Sequence, residues 1–300
     1  MAKPQALEGV TPDTPVGQAM SAVLIPKAQA VLSYEAKVRA GDVDGLHDMR
    51  VATKRLREAA RLFRPAFGRQ RLDRHLEHLE RLNDALGVGR ELDVLGLQLQ
   101  DLGGRRDGLS AGLQPLLEKL ATERRDKDGS LAATLNATLP FLSADFDRLV
   151  HDRTEAHALV WEMPLVKLGR EAVASRAKKA FALEKEACEP TKLREFHRMR
   201  IAVKKLKYAL EVFLDLFGKR VREAYEPIAD LQEVMGLVHD CDVLVGVLET
   251  SRADPLTPEV ADEALLLART DRATLHTQTL ALLASMHEQG LPKRLRGLKD

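Results

Sequence analysis

Two stretches of the chain carry histidine, arginine and lysine at one spacing, His-x-x-Arg-x-x-x-Lys. They lie in residues 46–67 and 196–217, which align without gaps and are identical at nine of 22 positions. The repeated basic residues are His47, Arg50 and Lys54 in the first stretch and His197, Arg200 and Lys204 in the second. Such side chains donate charge-assisted hydrogen bonds to carboxylate and phosphate oxygens. The chemistry that this pattern predicts is therefore the binding of an anion.

A helical wheel separates these cations from an apolar stripe. At 100° per residue, Met49, Leu56 and Phe63 share one face of the first helix, which is wide enough to bury against neighbouring helices. A neighbouring arc of about 100° carries the basic residues. These residues are His47, Arg50, Lys54, Arg57, Arg61 and Arg64. In the second stretch the same arc holds His197, Arg200, Lys204 and Lys207, and it ends one turn earlier because Glu211 takes the position of Arg61.

The basic charge of the protein is concentrated in these two helices. The whole chain has 46 Lys and Arg and 45 Asp and Glu, for a net charge of +1, so no field of the whole molecule draws it onto nucleic acid or a membrane. Residues 46–64 carry a net charge of +4 and residues 192–208 a net charge of +6, which leaves −9 for the rest. Like charges three and four residues apart destabilise a helix, so we expect an anionic partner to offset them.

The helix before each stretch offers one more cation. Lys27 precedes His47 by almost the same interval as Lys178 precedes His197, so the two lysines occupy nearly equivalent places. We therefore add both lysines to the predicted site, although an ordinary surface lysine explains either one equally well.

Composition predicts an all-α fold. Leu, Ala, Glu, Arg and Lys dominate, aromatic residues make up 4%, and no sustained alternation of β-branched and polar residues is present. Residues 82–95 also align with residues 231–244, and this second echo of one half in the other extends the repeat. We predict two pseudo-symmetric antiparallel helical bundles from an internal duplication, spanning residues 16–162 and 163–295, with a basic groove between them and a flexible lead-in at residues 1–15.

A groove lined from both sides by Arg and Lys suits a linear polyanion. Duplex DNA, single-stranded RNA and inorganic polyphosphate all fit this requirement by charge. Single-strand binders stack bases on aromatic side chains, but this chain has one Trp and three Tyr, and most of its Phe lie on apolar faces. Duplex DNA needs an exposed recognition element and is disfavoured by the −9 remainder. Polyphosphate requires neither feature, and nucleic acid is the less favoured partner.

The acidic residues of the second echo are the best enzymatic candidates. His239 and Asp240 could form the metal-binding dyad of a phosphohydrolase with Asp242, but the first copy has Arg90 and Glu91 at the equivalent places. We expect these carboxylates, with Asp93, to form salt bridges to the basic helix of their own half. Neither a glycine-rich phosphate loop nor a nucleophile elbow is present, so we expect no catalytic residue, metal or cofactor. A metal-dependent phosphohydrolase and a nucleic-acid-associated scaffold remain alternatives.

The two basic helices, HDMRVATKRLREAARLF and HRMRIAVKKLKYALEVF, each followed by a glycine-containing acidic segment, resemble the paired helices of the CHAD (conserved histidine alpha-helical domain) family. The resemblance extends over residues 16–290. It implies two helical bundles around a basic groove that binds polyphosphate through His47, Arg50, Lys54, Arg57, His197, Arg200, Lys204 and Lys207. Family members often follow a triphosphatase domain, which this sequence lacks, so we expect a stand-alone binder.

Two cysteines, Cys188 and Cys241, are too few for a disulfide framework, which indicates a reducing compartment. The lead-in contains three prolines and three charged residues instead of the apolar stretch of a signal peptide, and no apolar run approaches the length of a membrane span. We expect a soluble cytoplasmic protein without a membrane partner. Association with polyphosphate granules follows from the family resemblance alone.

Overall fold

The computed structural model describes residues 9–67, 69–151, 158–214 and 218–299. Its regular elements are helices, without a strand in these ranges, and helix makes up 86% of the structure. The all-α prediction is confirmed. Residues 1–8 of the predicted lead-in and Phe217 of the repeat lie outside the described residues.

Thirteen α-helices are present in the described ranges. They are α1 (Val16–Ser33), α2 (Glu35–Arg39), α3 (Val43–Leu62), α4 (Arg69–Gly104), α5 (Leu109–Asp126), α6 (Asp128–His151), α7 (Ala158–Trp161), α8 (Leu165–Ala182), α9 (Glu184–Ala187), α10 (Leu193–Phe213), α11 (Lys219–Thr250), α12 (Pro258–Glu288) and α13 (Leu291–Arg296). Helices α3 and α10 contain the two basic stretches. None of the described helices is both long enough and apolar enough to cross a bilayer.

Both halves of the chain open with the same order of helices. Helices α1 and α8 have 18 residues each and begin after Pro15 and Pro164, and each is followed by a short helix and then by a basic helix of 20 or 21 residues. The two starts lie side by side, because the Val16 N–H donates to the Met163 carbonyl at 2.9 Å and the Leu165 N–H donates to the Thr14 carbonyl at 2.9 Å.

Helix α3 begins where the sequence supplies a cap. The Asp42 carboxylate accepts hydrogen bonds from the backbone N–H groups of Asp44 and Gly45 at 2.9 and 3.1 Å, which satisfies two of the free donors of the first turn. The predicted apolar stripe is confirmed, since Met49, Leu56 and Phe63 are fully buried. The equivalent residues of α10, namely Met199, Leu206 and Phe213, are buried to the same extent.

The long helices α4 and α11 pass through two separate apolar cores. The larger core includes their N-terminal parts together with α1, α3, α6, α8 and α10, and the smaller one joins their C-terminal parts to α5 and α12. On α4 the first core ends at Leu86 and the second begins at Leu95. On α11 the corresponding residues are Val238 and Leu244. The polar residues between these limits, which include the acidic echoes, therefore form a layer between the two cores.

Candidate functional site

Helices α3 and α10 pack against each other and bring their basic residues to one place. Lys54 of α3 interacts electrostatically with Lys204 and Arg200 of α10, and Lys204 in turn interacts with Arg50 and Arg57 of α3. We call these five residues the basic cluster. The structure therefore unites the central residues of the two sequence patterns, which belong to opposite halves of the chain.

Burial and mutual repulsion make the two lysines of the cluster weak bases. Burial, followed by the charge of Arg50, lowers the pKa of Lys54 to about 6. Burial and then Arg200 lower the pKa of Lys204 to about 8, although the buried carboxylate of Glu58 acts in the opposite direction. Burial also lowers the pKa of the Arg50 and Arg200 guanidinium groups. The cluster thus holds more positive charge than its surroundings stabilise.

Four members of the cluster lack a carboxylate partner at ion-pair distance. In the described ranges the side chains of Arg50, Lys54, Arg200 and Lys204 form no hydrogen bond and no ion pair. The Nε atoms of Arg50 and Arg200 are buried and have no hydrogen-bond acceptor within those ranges. Buried donors without a partner cost free energy, and native proteins satisfy almost all of them. The cluster is consequently suited to an anion that brings several acceptor oxygens between the two helices.

Two buried glutamates flank the cluster and neutralise other predicted site residues. Glu58 of α3 accepts a hydrogen bond from Arg61 at 2.6 Å and lies 3.8 Å from Arg57. Glu211 of α10 pairs with Arg55 at 2.5 Å. Burial lowers the pKa of both Lys27 and Lys207, and the negative charge of the same Glu211 partly opposes that effect.

Of the eleven residues predicted from sequence, Arg61, Lys27 and Lys207 therefore lie beside buried carboxylates rather than among the unpartnered cations. Arg57 belongs to the basic cluster but also has a carboxylate neighbour, because its Nη1 atom lies 3.7 Å from Oε1 of Glu80.

The structure points to Arg176 as a residue that the sequence analysis missed. When α1 and α8 are aligned on their first residues, Lys27 matches Arg176 rather than Lys178. Arg176 is largely withdrawn from solvent, its pKa is lowered by burial, and it faces Glu58 and Arg61. Lys178 lies on the exposed face of α8. Counting from the prolines that precede the two helices, instead of from the histidines, would have identified Arg176.

The histidines lie at the N-terminal ends of the two basic helices. His47 lies at the surface, and its pKa is lowered first by the protein atoms that displace part of its surrounding water and then by the charge of Arg90. The His197 ring lies 5.0 Å from the ring of His239, measured between centroids. Burial and then Arg200 lower the pKa of both, in the case of His239 to about 4. Near neutral pH these imidazoles are therefore uncharged and contribute N–H donors rather than positive charge.

The predicted salt bridges of the acidic echoes are wrong for two residues. Asp93 accepts a hydrogen bond from Arg124 of α5 at 3.1 Å, and Asp242 accepts one from Arg272 of α12 at 2.5 Å. Both carboxylates lie between the two cores and form their ion pairs with the helix that follows, although the charge of Asp242 still acts on His197 and Arg200 of α10. Asp240 differs, because it interacts with Arg200, Arg90 and Arg50, and burial raises its pKa.

The described residues contain no group of three or more His, Cys, Asp and Glu side chains arranged to hold a metal ion. Asp242, which the sequence analysis considered as a ligand beside His239, is engaged with Arg272.

The fold of the described residues is all-helical, and two basic helices, α3 and α10, pack against each other within it. The sequence pattern of the CHAD domain matches residues 22–249, about three quarters of the chain, so the protein belongs to the CHAD domain family. The crystal structure of the CHAD domain from the plant Ricinus communis superposes with a TM-score of 0.76 at 25% identity, over 95% of this chain and 96% of that one.

Two further proteins are similar to this chain. PptA from Streptomyces chartreusis superposes with a TM-score of 0.66 over 91% of this chain and all of that one, and at 16% identity the likeness concerns the fold alone. The uncharacterised protein Rv2226 of Mycobacterium tuberculosis is 28% identical over 204 residues, which cover 66% of this chain and 39% of that protein. The chain thus spans well under half of the length of this relative.

Proposed function

We propose that the protein binds inorganic polyphosphate, without hydrolysing it, in the basic cluster between α3 and α10. The observation that carries the proposal is the set of four basic side chains, two from each helix, that form no ion pair with a carboxylate in the described chain. The association of the CHAD family with polyphosphate supports the same ligand. Binding of this kind would also allow the protein to associate with polyphosphate granules in the cytoplasm.

The surroundings of the cluster favour polyphosphate over nucleic acid. Every Phe, Tyr and Trp in the described ranges is at least partly buried, and Tyr208, which lies next to Lys207, is 6% exposed. Base stacking requires accessible aromatic faces, which the cluster does not offer. Guanidinium and ammonium groups alone suffice for a chain of phosphoryl groups.

A competition titration tests this proposal. Labelled long-chain polyphosphate is expected to bind more tightly as its length increases, and duplex DNA, single-stranded RNA and ATP at the same phosphate concentration are expected not to displace it. With about five phosphate contacts, affinity should fall about 100-fold between about 50 and 200 mM salt. Displacement by DNA or RNA would contradict the proposal and support the nucleic-acid scaffold.

Hydrolysis is measured in the same samples, because a metal-dependent phosphohydrolase is the second candidate. The hydrolase hypothesis requires that orthophosphate is released from polyphosphate in the presence of Mg²⁺ or Mn²⁺ and that Asp242→Asn abolishes this release. Such a result would show that the function is hydrolysis rather than binding alone. We expect no release above the rate without protein.

Gly87 of α4 provides a test that leaves every cation in place. A Cβ atom at this position would lie 3.7 Å from the Nε and Nη2 atoms of Arg50, which is an ordinary contact. Gly87→Ala is therefore expected to fit, and to stabilise α4 by up to about 1 kcal/mol. Gly87→Leu is expected to displace the Arg50 guanidinium and weaken polyphosphate binding about tenfold, the equivalent of one hydrogen bond. Equal affinities of the two variants would show that Arg50 is not a ligand.

A further inference from the structure

Lys54 and Lys204 occupy matching positions at the centre of the basic cluster. Each lies one helical turn after an arginine, Arg50 on α3 and Arg200 on α10. The groups facing Lys54 are His47, Arg50 and Arg57 from its own helix and Arg200 and Lys204 from α10. The groups facing Lys204 are Arg200 and His197 from α10, Arg50, Arg57 and Glu58 from α3, and His239 from α11. Glu58 is the single carboxylate among these groups, and it already accepts a hydrogen bond from Arg61.

This arrangement can relieve its electrostatic repulsion in two ways. One is the loss of protons, and the other is the arrival of negative charge. Arginine does not lose its proton in proteins, so the two lysine amines are the groups that respond. A polyanion placed between the helices reverses the balance, because each phosphoryl oxygen accepts a hydrogen bond more strongly from an ammonium than from an amine.

We propose that Lys54 and Lys204 determine the specificity of the site by taking up protons when the closely spaced phosphoryl groups of polyphosphate lie across α3 and α10. This inference rests on the proposed function and deepens it, since it assigns a coupled proton reaction to two named residues. The four basic side chains, when protonated, carry more positive charge than a single phosphoryl group can neutralise. The site therefore selects ligands that bring several adjacent negative charges.

The acid–base properties of the free protein set the number of protons. With a pKa of about 6 for Lys54 and about 8 for Lys204, the first amine is neutral at pH 7.5 and both are neutral at pH 9. Uptake is then about one proton at pH 7.5 and about two at pH 9, provided that the bound ammonium groups recover their ordinary pKa. His197 and His239 add nothing at pH 9, because imidazoles are uncharged there.

Isothermal titration calorimetry in buffers of different ionisation enthalpy counts these protons. We expect about one at pH 7.5 and about two at pH 9, with affinity for long-chain polyphosphate falling about 100-fold between the two pH values. Tight binding without proton uptake at either pH would overturn the inference and leave the proposed function intact. Absence of binding at both pH values would instead contradict the proposed function.

Arginine substitutions assign the protons to residues. Lys54→Arg is expected to take up about one proton at pH 9, and Lys54→Arg/Lys204→Arg close to none. At pH 9 the double variant should bind at least tenfold more tightly than the natural protein, since it has no amine to recharge. Lys119→Arg, on the exposed face of α5, is the matched control and should retain the uptake of two protons. Two protons taken up by the double variant would assign the titration elsewhere and overturn the inference. Circular dichroism verifies the fold of each variant.

Discussion

The Arg50→Glu/Arg200→Glu variant is expected to bind polyphosphate at least about 1000-fold more weakly than the natural protein. Each substitution removes a charge-assisted hydrogen bond worth about 1.5–3 kcal/mol and adds repulsion, and about 4 kcal/mol in total corresponds to this factor. The fold is expected to persist, because the new carboxylates lie one turn before Lys54 and Lys204, a spacing at which Glu and Lys stabilise a helix. Fluorescence anisotropy with labelled polyphosphate measures the loss.

A matched control separates the site from the general effect of charge. Lys119→Glu/Lys179→Glu changes the net charge of the protein by the same amount at two exposed positions of α5 and α8. This variant is expected to lose less than about threefold in affinity at physiological ionic strength, because both side chains are exposed and salt screens exposed charges. An equal loss in both variants would show that polyphosphate responds to net charge rather than to the basic cluster.

The second large effect concerns stability. Glu211→Gln is expected to lower the free energy of unfolding by about 3 kcal/mol, because it leaves the largely buried guanidinium of Arg55 without its 2.5 Å carboxylate partner. Lys27 and Lys207, both largely buried, lose the same opposing charge. The melting temperature is expected to fall by about 6–12 °C for a chain of this size. Urea and thermal unfolding followed by circular dichroism measure both quantities.

Glu249→Gln is the control for this experiment. Glu249 also forms an ion pair, with Arg269 at 2.7 Å, but both side chains are more than half exposed. Its loss is expected to cost less than about 1 kcal/mol. A Glu211→Gln variant as stable as Glu249→Gln would mean that the buried carboxylate does not hold the cations around it.

Helical periodicity explains why much of the fold and the centre of the site could be predicted. A 3.6-residue period fixes which side chains share a face, so the apolar stripe of Met49, Leu56 and Phe63 and the neighbouring Arg50 and Lys54 follow from the sequence alone. The repeat then indicated that a second helix has the same design. That the two helices face each other is what the structure adds.

Contacts between helices explain what could not be predicted. A wheel shows that Glu211 interrupts the basic arc, but not that it pairs with Arg55 of another helix. In the same way, Asp93 pairs with Arg124 because the α4–α5 hairpin brings together two side chains that are distant in the sequence. The register between α1 and α8 is set by their proline starts, so an alignment on the histidines selected Lys178 in place of Arg176.

A crystal structure of the protein with short-chain polyphosphate would show where the ligand binds. We expect consecutive phosphoryl groups between α3 and α10, with oxygens within hydrogen-bonding distance of the guanidinium groups of both Arg50 and Arg200. Phosphoryl groups bound only on the outer faces of the helices, with none between these two arginines, would contradict this expectation.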